Sequence, residues 1–281
     1  MNTILLPTDF SDNSWNAIKY ALQLFKNEKC TFTLLNTFTP IFYSMEQTMM
    51  YNPETDLQNI VKKNSERRLK QLTNRIKEEF NNPNHVFTSS AVFNILTAEM
   101  ENLYDKKTVD LVIMGTKGAT GLKGVLFGSN TIHTIKRAKF PVLAIPDNFE
   151  YEAPHEILFP SDLEVDFTKK QLAPLITIAT NHHARVNVLH VSDSQDLSKK
   201  QENNIAKLET LLKSISYLLH YKNNKDISDA ISQFQIEHRI NMLVMINNKH
   251  SFFQNVFFKS KVNQIGFHLN IPFLVIPSKK D

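Results

Sequence analysis

Glycine is scarce in this chain and unevenly placed. Of six glycines in 281 residues, five, Gly115, Gly118, Gly121, Gly124 and Gly128, follow one apolar run and precede one helical pattern. Backbone without a Cβ can approach phosphate oxygens closely or adopt positive φ, and a helix opening just beyond offers unpaired N–H groups and a positive dipole end. The segment Met114-Gly115-Thr116-Lys117-Gly118, followed after nine intervening residues by Gly128-Ser129-Asn130-Thr131, therefore reads as a phosphate cradle, with Ser129 as helix N-cap and hydroxyl donor. A Walker loop is excluded because Lys123 precedes Gly124 instead of following it. The dinucleotide fingerprint is excluded because it follows the first strand of its unit, whereas this loop follows the fourth. A second chemical group belongs to the same place. Pro7-Thr8-Asp9 closes the first apolar run, which sets Asp9 at the sheet edge that Gly115 occupies, where a carboxylate can accept from ribose hydroxyls or an adenine amino group.

These residues need a parallel sheet to bring them together. Ile4 to Pro7, Thr31 to Thr37, Val86 to Val92, Asp110 to Met114 and Val142 to Ile145 read as buried strands. Between them, Asn13 to Phe25 reads as a helix capped by Ser11 or Asp12, with Trp15, Ile18, Ala21, Leu22 and Phe25 on one stripe. Leu57 to Phe80 is a long amphipathic helix with Ile60, Leu69, Leu72 and Ile76 inward; Ile95 to Lys106 and Asn130 to Ala138 are further helices. Apolar strands alternating with helices call for a parallel sheet covered on both faces, and ligands of such sheets sit beyond the carboxyl ends of the strands.

The chain also repeats itself. Ile4-Leu5-Leu6-Pro7-Thr8-Asp9-Phe10 recurs 153 positions later as Ile157-Leu158-Phe159-Pro160-Ser161-Asp162-Leu163. Phe140-Pro141-Val142-Leu143-Ala144-Ile145-Pro146 recurs 131 positions later as Ile271-Pro272-Phe273-Leu274-Val275-Ile276-Pro277. The 22 residues by which the offsets differ are extra material in the first half, much of it expected in Phe38 to Asp56. Strands are expected near 157–160, 185–191, 216–222, 242–246 and 273–276. Two α/β domains result, 1–147 and 155–281, joined by a linker from Asp147 to Pro154.

Composition narrows the function. Hydrophobic residues are 42% and charged residues 21%, ordinary globular usage that excludes fibrous and disulfide-scaffold classes. The net charge of +4 comes from lysines and arginines scattered among acids, which suits solvated helix faces and not a nucleic-acid patch. No run reads as a signal peptide or a membrane span, and a lone Cys30 reads as a buried apolar residue in a reducing compartment, so a cytoplasmic protein is expected. His182-His183 and His190 lack the partners of a metal site.

Pro7-Thr8-Asp9-Phe10-Ser11, Asp110-Leu111-Val112-Ile113-Met114-Gly115 and the Gly-x2-Gly-x9-Gly-Ser pattern resemble the universal stress protein family in its tandem form, and the glycine pattern resembles that of its ATP-binding branch. The resemblance implies an adenine nucleotide α-hydrolase-like, Rossmann-like α/β sandwich in each half, of strand order 3-2-1-4-5, with last strands pairing across a dimer-like interface. It implies that Pro7, Thr8 and Asp9 flank adenine and ribose, and that the backbone of Thr37 reads the adenine edge. Met114, Gly115 and Gly118 would line ribose and phosphates, and Gly128, Ser129, Asn130 and Thr131 would hold the phosphates of ATP, with or without Mg²⁺. The family usually carries His-Val where this half has Asn36-Thr37.

The second half departs from that pattern. At the offset of 131, the five loop glycines become Ile246, Lys249, Phe252, Asn255 and Lys259, while Ser129 becomes Ser260. Its nucleotide loop is degenerate, so the expected role of this half is that of an intramolecular pseudo-dimer partner, with Phe252, Phe253, Phe257 and Phe258 packing on the other domain or another subunit, as in a homodimer. The expectation is a stress-response or signalling protein that binds one adenine nucleotide, is no enzyme beyond slow incidental hydrolysis, and acts on an unidentified protein partner without nucleic acid or membrane. The alternative is a nucleotide-independent, chaperone-like interaction protein with a vestigial site.

Overall fold

The computed structural model describes residues 3–39, 54–117, 128–192, 196–224, 226–248 and 270–278. Gly118, Gly121, Gly124, most of the stretch from Phe38 to Asp56 and the phenylalanines at 252–258 lie outside them. The elements run β1 (Thr3–Pro7), α1 (Asp12–Leu24), β2 (Cys30–Phe38), α2 (Glu54–Glu79), β3 (His85–Phe93), α3 (Leu96–Asp105), β4 (Leu111–Gly115), α4 (Ser129–Arg137) and β5 (Val142–Ile145). They continue β6 (Glu156–Pro160), α5 (Lys169–His182), β7 (Arg185–Ser192), α6 (Lys199–Leu212), β8 (Ser216–Asn223), α7 (Ile227–Glu237), β9 (Met242–Asn247) and β10 (Phe273–Pro277).

The chain forms two compact units, Met1–Thr134 and Ile135–Asp281. In the first, parallel strands take the order β3-β2-β1-β4. The second contains the complete parallel order β8-β7-β6-β9-β10, which is 3-2-1-4-5 counted along that half. Its outer neighbour is β5, antiparallel to β10 with Leu143 opposite Leu274. That pairing places β5 in the second unit, so the units part inside α4, whereas the sequence repeat parts after Pro146.

Strand registers reproduce the repeat from geometry. Ile4 lies beside Leu111, and Ile157 beside Met242, which matches the two halves at offsets of 153 and 131. Thr3 faces Thr31 as Glu156 faces Arg185, and Thr31 faces Val86 as Arg185 faces Ser216. The extra residues of the first half thus fall between β2 and β3, where α2 has 26 residues and α6 has 14.

The core of the first unit is built from β1 (Ile4, Leu5, Leu6), β4 (Leu111, Val112, Ile113) and the inward stripe of α1 (Ile18, Ala21, Leu22). Of the residues expected inward on α2, Leu69 and Ile76 are buried, but Ile60 is 62% exposed. Ser65 is the buried residue of that part of α2, because its hydroxyl donates to Asn36 Oδ1 at 2.7 Å and turns a polar position toward the sheet. No helix among the described residues is long and apolar enough to cross a membrane.

Candidate functional site

At the carboxyl end of β1 the chain turns at once into α1. The Thr8 N–H donates to the Leu35 carbonyl at 2.8 Å, which extends the β1–β2 pairing by one residue. Thr8 is buried, and its hydroxyl accepts from the Phe10 N–H at 3.0 Å and shares a hydrogen bond with Ser14 Oγ. This holds Phe10 at φ 63°, the left-handed region, so that the turn aims Asp9 outward. Asp9 is exposed, and its Oδ1 accepts from the Ser11 N–H at 3.0 Å and the Ser11 hydroxyl at 2.5 Å. Ser11, and not Asp12, is the α1 N-cap, since its side chain accepts from the Ser14 N–H.

At the end of β2, the Asn36 amide donates to the Thr8 carbonyl at 2.7 Å and accepts from Ser65, so both ends of that side chain serve the scaffold. Thr37 follows, half-buried, and presents its main chain at the same edge. The family's usual His-Val pair is absent here but present in the second half as His190-Val191. His190 is buried and holds its Nδ1 3.0 Å from the Ser161 carbonyl, the bond that Asn36 makes to Thr8. The repeat offset of 153 would have paired Asn36 with Leu189; the strand registers, Thr3 with Thr31 and Glu156 with Arg185, place His190 there.

The glycine segment leaves β4 through Met114 and Gly115, both buried. Its frame is closed by backbone. The Gly128 N–H donates to the Thr116 carbonyl at 2.7 Å, and the Thr131 hydroxyl donates to the Gly115 carbonyl at 3.0 Å from a buried position. The Ile132 N–H bonds the Gly128 carbonyl at 3.0 Å, so Gly128 occupies the N-cap position and Ser129 is the first helical residue. Ser129 and Asn130 are exposed, and the first-turn N–H groups of α4 have no partner within the helix. Lys136 and Arg137 in its last turn offset the opposite pole of the dipole. Gly115 is not held by positive φ. A Cβ there would lie 2.5 Å from Asn13 Oδ1, so close approach is the reason for glycine.

The structure thus brings Pro7, Thr8, Asp9, Thr37, Met114, Gly115, Gly128, Ser129, Asn130 and Thr131 to the carboxyl ends of β1, β2 and β4 and the start of α4; Gly118 lies outside the described residues. A cavity of about 220 Å³ opens beside this edge, between α1 and α2, lined by Thr8, Phe10 and Ser11 of the turn and by Trp15, Arg68 and Arg75. Of the residues expected at the site it shares Thr8, while Asp9 and the described glycines are not in its wall.

The matching edge of the second unit is differently furnished. Ser161, Asp162 and Leu163 reproduce the turn, with the Leu163 N–H donating to Ser161 Oγ at 3.0 Å and Leu163 at φ 60°. Asn248, at the position of Lys117, donates to Asp162 Oδ2 at 3.3 Å, and Gln201 and Asn204 donate to the Asp162 and Leu163 carbonyls at 3.0 and 2.7 Å. Burial pushes the Asp162 carboxyl above the usual carboxylate range. Ile246 stands in the place of Gly115.

The sequence profile described as the Universal stress protein family matches residues 1–146. The chain belongs to the universal stress protein family. The universal stress proteins MJ0577 and MJ0531 of Methanocaldococcus jannaschii are each 28% identical to it, over 159 and 143 residues, which is 50% of this chain and 93% and 80% of theirs. Among solved structures, a universal stress protein from Archaeoglobus fulgidus aligns at a TM-score of 0.69 with 17% identity, covering 98% of both chains. A universal stress protein from Pseudomonas aeruginosa aligns at 0.61 with 12% identity, covering 99% of this chain and 94% of its own. These two likenesses show that the fold extends over both halves.

Proposed function

We propose that this universal stress protein binds ATP, with or without Mg²⁺, at the carboxyl edge of the first unit and uses occupancy of that site as a signal in the stress response. The observation that carries the reading is the framed glycine segment. It starts at a buried Gly115, closes through the Gly128 N–H on the Thr116 carbonyl, and opens α4 beside an exposed Asp9. In this reading Pro7, Thr8 and Asp9 flank adenine and ribose and the Thr37 main chain reads the adenine edge. Ser129 and Asn130 bind phosphate with their N–H groups and side chains, while Thr131 and Gly128 brace the frame.

The second half serves as an internal pseudo-dimer partner and binds no nucleotide, since Asn248 covers its carboxylate and Ile246 replaces the glycine. In this reading Asp9 is committed to the nucleoside and, among the described residues, no base is placed for water, which supports a binding module acting through a protein partner in the cytoplasm over one that turns product over.

The test is direct. Purified protein is denatured and any released nucleotide is identified by mass, and then ATP–Mg²⁺ is titrated into stripped protein while melting is followed. At about 100 times Kd the ligand stabilises by roughly 2.7 kcal/mol, a shift of several degrees. One equivalent per chain, abolished by Gly128→Lys, is the expected result. No nucleotide and no shift at millimolar ATP would overturn the reading in favour of a nucleotide-independent interaction protein.

A further inference from the structure

Asn13 is the second residue of α1 and 7% exposed, yet no apolar packing requires an amide there. Its Nδ2 donates to the Lys117 carbonyl at 3.0 Å, across 104 residues of sequence. Its Oδ1 is buried, has no donor among the described residues, and fills the space that a Cβ on Gly115 would need. A buried acceptor left without a donor is costly, and here the same side chain anchors the segment that leaves β4.

We propose that Asn13 is the positioning residue of the glycine segment: it latches the first turn of α1 to Gly115–Lys117 and so sets the direction in which the backbone leaves the strand toward the phosphates. The inference rests on the ATP-binding reading for its purpose, though the latch itself is a property of the fold. The second unit supplies a comparison within the same chain. There the helix begins seven residues after Asp162, not three after Asp9, and the second residue of α5 is the exposed Lys170. The position of Gly115 is then free to be Ile246. Asn13 and Gly115 are present together in the unit with the glycine segment and absent together from the other.

The experiment uses the full chain as wild type, Asn13→Ala, Gly115→Ala and the double variant. ATP–Mg²⁺ and adenosine are titrated into each, and amide exchange at Gly115–Lys117 is measured without ligand. Asn13→Ala is expected to weaken ATP about tenfold, the worth of one lost buried hydrogen bond, to leave adenosine within about twofold, and to accelerate exchange at Gly115–Lys117. A general loss of stability would not separate the two ligands. Gly115→Ala is expected to lose more, and the double variant to bind ATP better than Gly115→Ala, because the side-chain obstruction at 2.5 Å has gone and only the Asn13 carbonyl, at 3.0 Å, remains. If Gly115→Ala does not fold, recovery of a melting transition in the double variant reads the same coupling. Equal effects on ATP and adenosine, or strictly additive losses in the double variant, overturn the proposal. If wild type binds no nucleotide, the functional reading fails; the exchange rates and the coupling between positions 13 and 115 still decide whether the latch exists.

Discussion

Buried Cys30 and half-buried Asp162 are both pushed toward their neutral forms by desolvation. Burial, reinforced by the negative charge of Glu28, pushes the Cys30 thiol up to about 11 from an ordinary value of 9.0. The folded state therefore favours the neutral thiol. Its contribution to stability is whole below pH 9 and is lost as pH rises through about 11, so wild type should lose melting temperature relative to Cys30→Ala across that window. Native protein should likewise resist thiol reagents until it unfolds. Asp162 also has a raised pKa, because burial penalises its charged form. Asn248 Oδ1 is buried beside it with no donor among the described residues. Asp162→Asn would supply one, and we expect it to raise stability at neutral pH by about 1 kcal/mol, a few degrees in Tm. The gain should shrink as pH falls and the wild-type carboxyl takes up its proton. A decrease at pH 7 would mean that the charge is used.

Among the elements, α2 is where the helical period and the tertiary structure part. Leu69 and Ile76 follow the inward stripe, whereas Ile60 is exposed and the buried position of that part of the helix is Ser65, bonded to Asn36. Ile76→Ala should cost about 2–5 kcal/mol in chemical denaturation and Ile60→Ala less than about 0.5. Similar losses would mean that the first turns of α2 are covered after all. The N-cap of α1 matters to function as well as to stability. Ser11 accepts from Ser14 N–H and donates to Asp9, so Ser11→Ala should cost about 1 kcal/mol and also loosen the carboxylate.

At the scale of the whole molecule, the second unit closes its sheet with β5, which pairs antiparallel with β10, Leu143 opposite Leu274. All four residues of β5 are buried, and the pairing covers the edge of β10. Leu143→Ala in the full chain should cost about 2–5 kcal/mol in chemical denaturation and accelerate amide exchange along β10. Unchanged exchange in β10 would mean that β5 does not protect that edge.

Much of this molecule is written locally. The two offsets, the strands, the glycine cluster and the placing of Asp9 at its edge follow from composition and from periods of two and 3.6, which neighbours in the chain establish by themselves. The degenerate second loop is legible in the same way, from Ile246 in the place of Gly115. Tertiary structure decided what each polar group does. Gly115 is small because Asn13 arrives from α1, and not because the backbone needs positive φ. Thr131 and Gly128 turn inward to close the frame; Ser65 displaces Ile60 as the inward face of α2; Asn248 covers Asp162. Each of these contacts joins residues 12 to 104 positions apart. Which donor meets which acceptor at that range depends on strand register and on where each helix begins, and no local period encodes either.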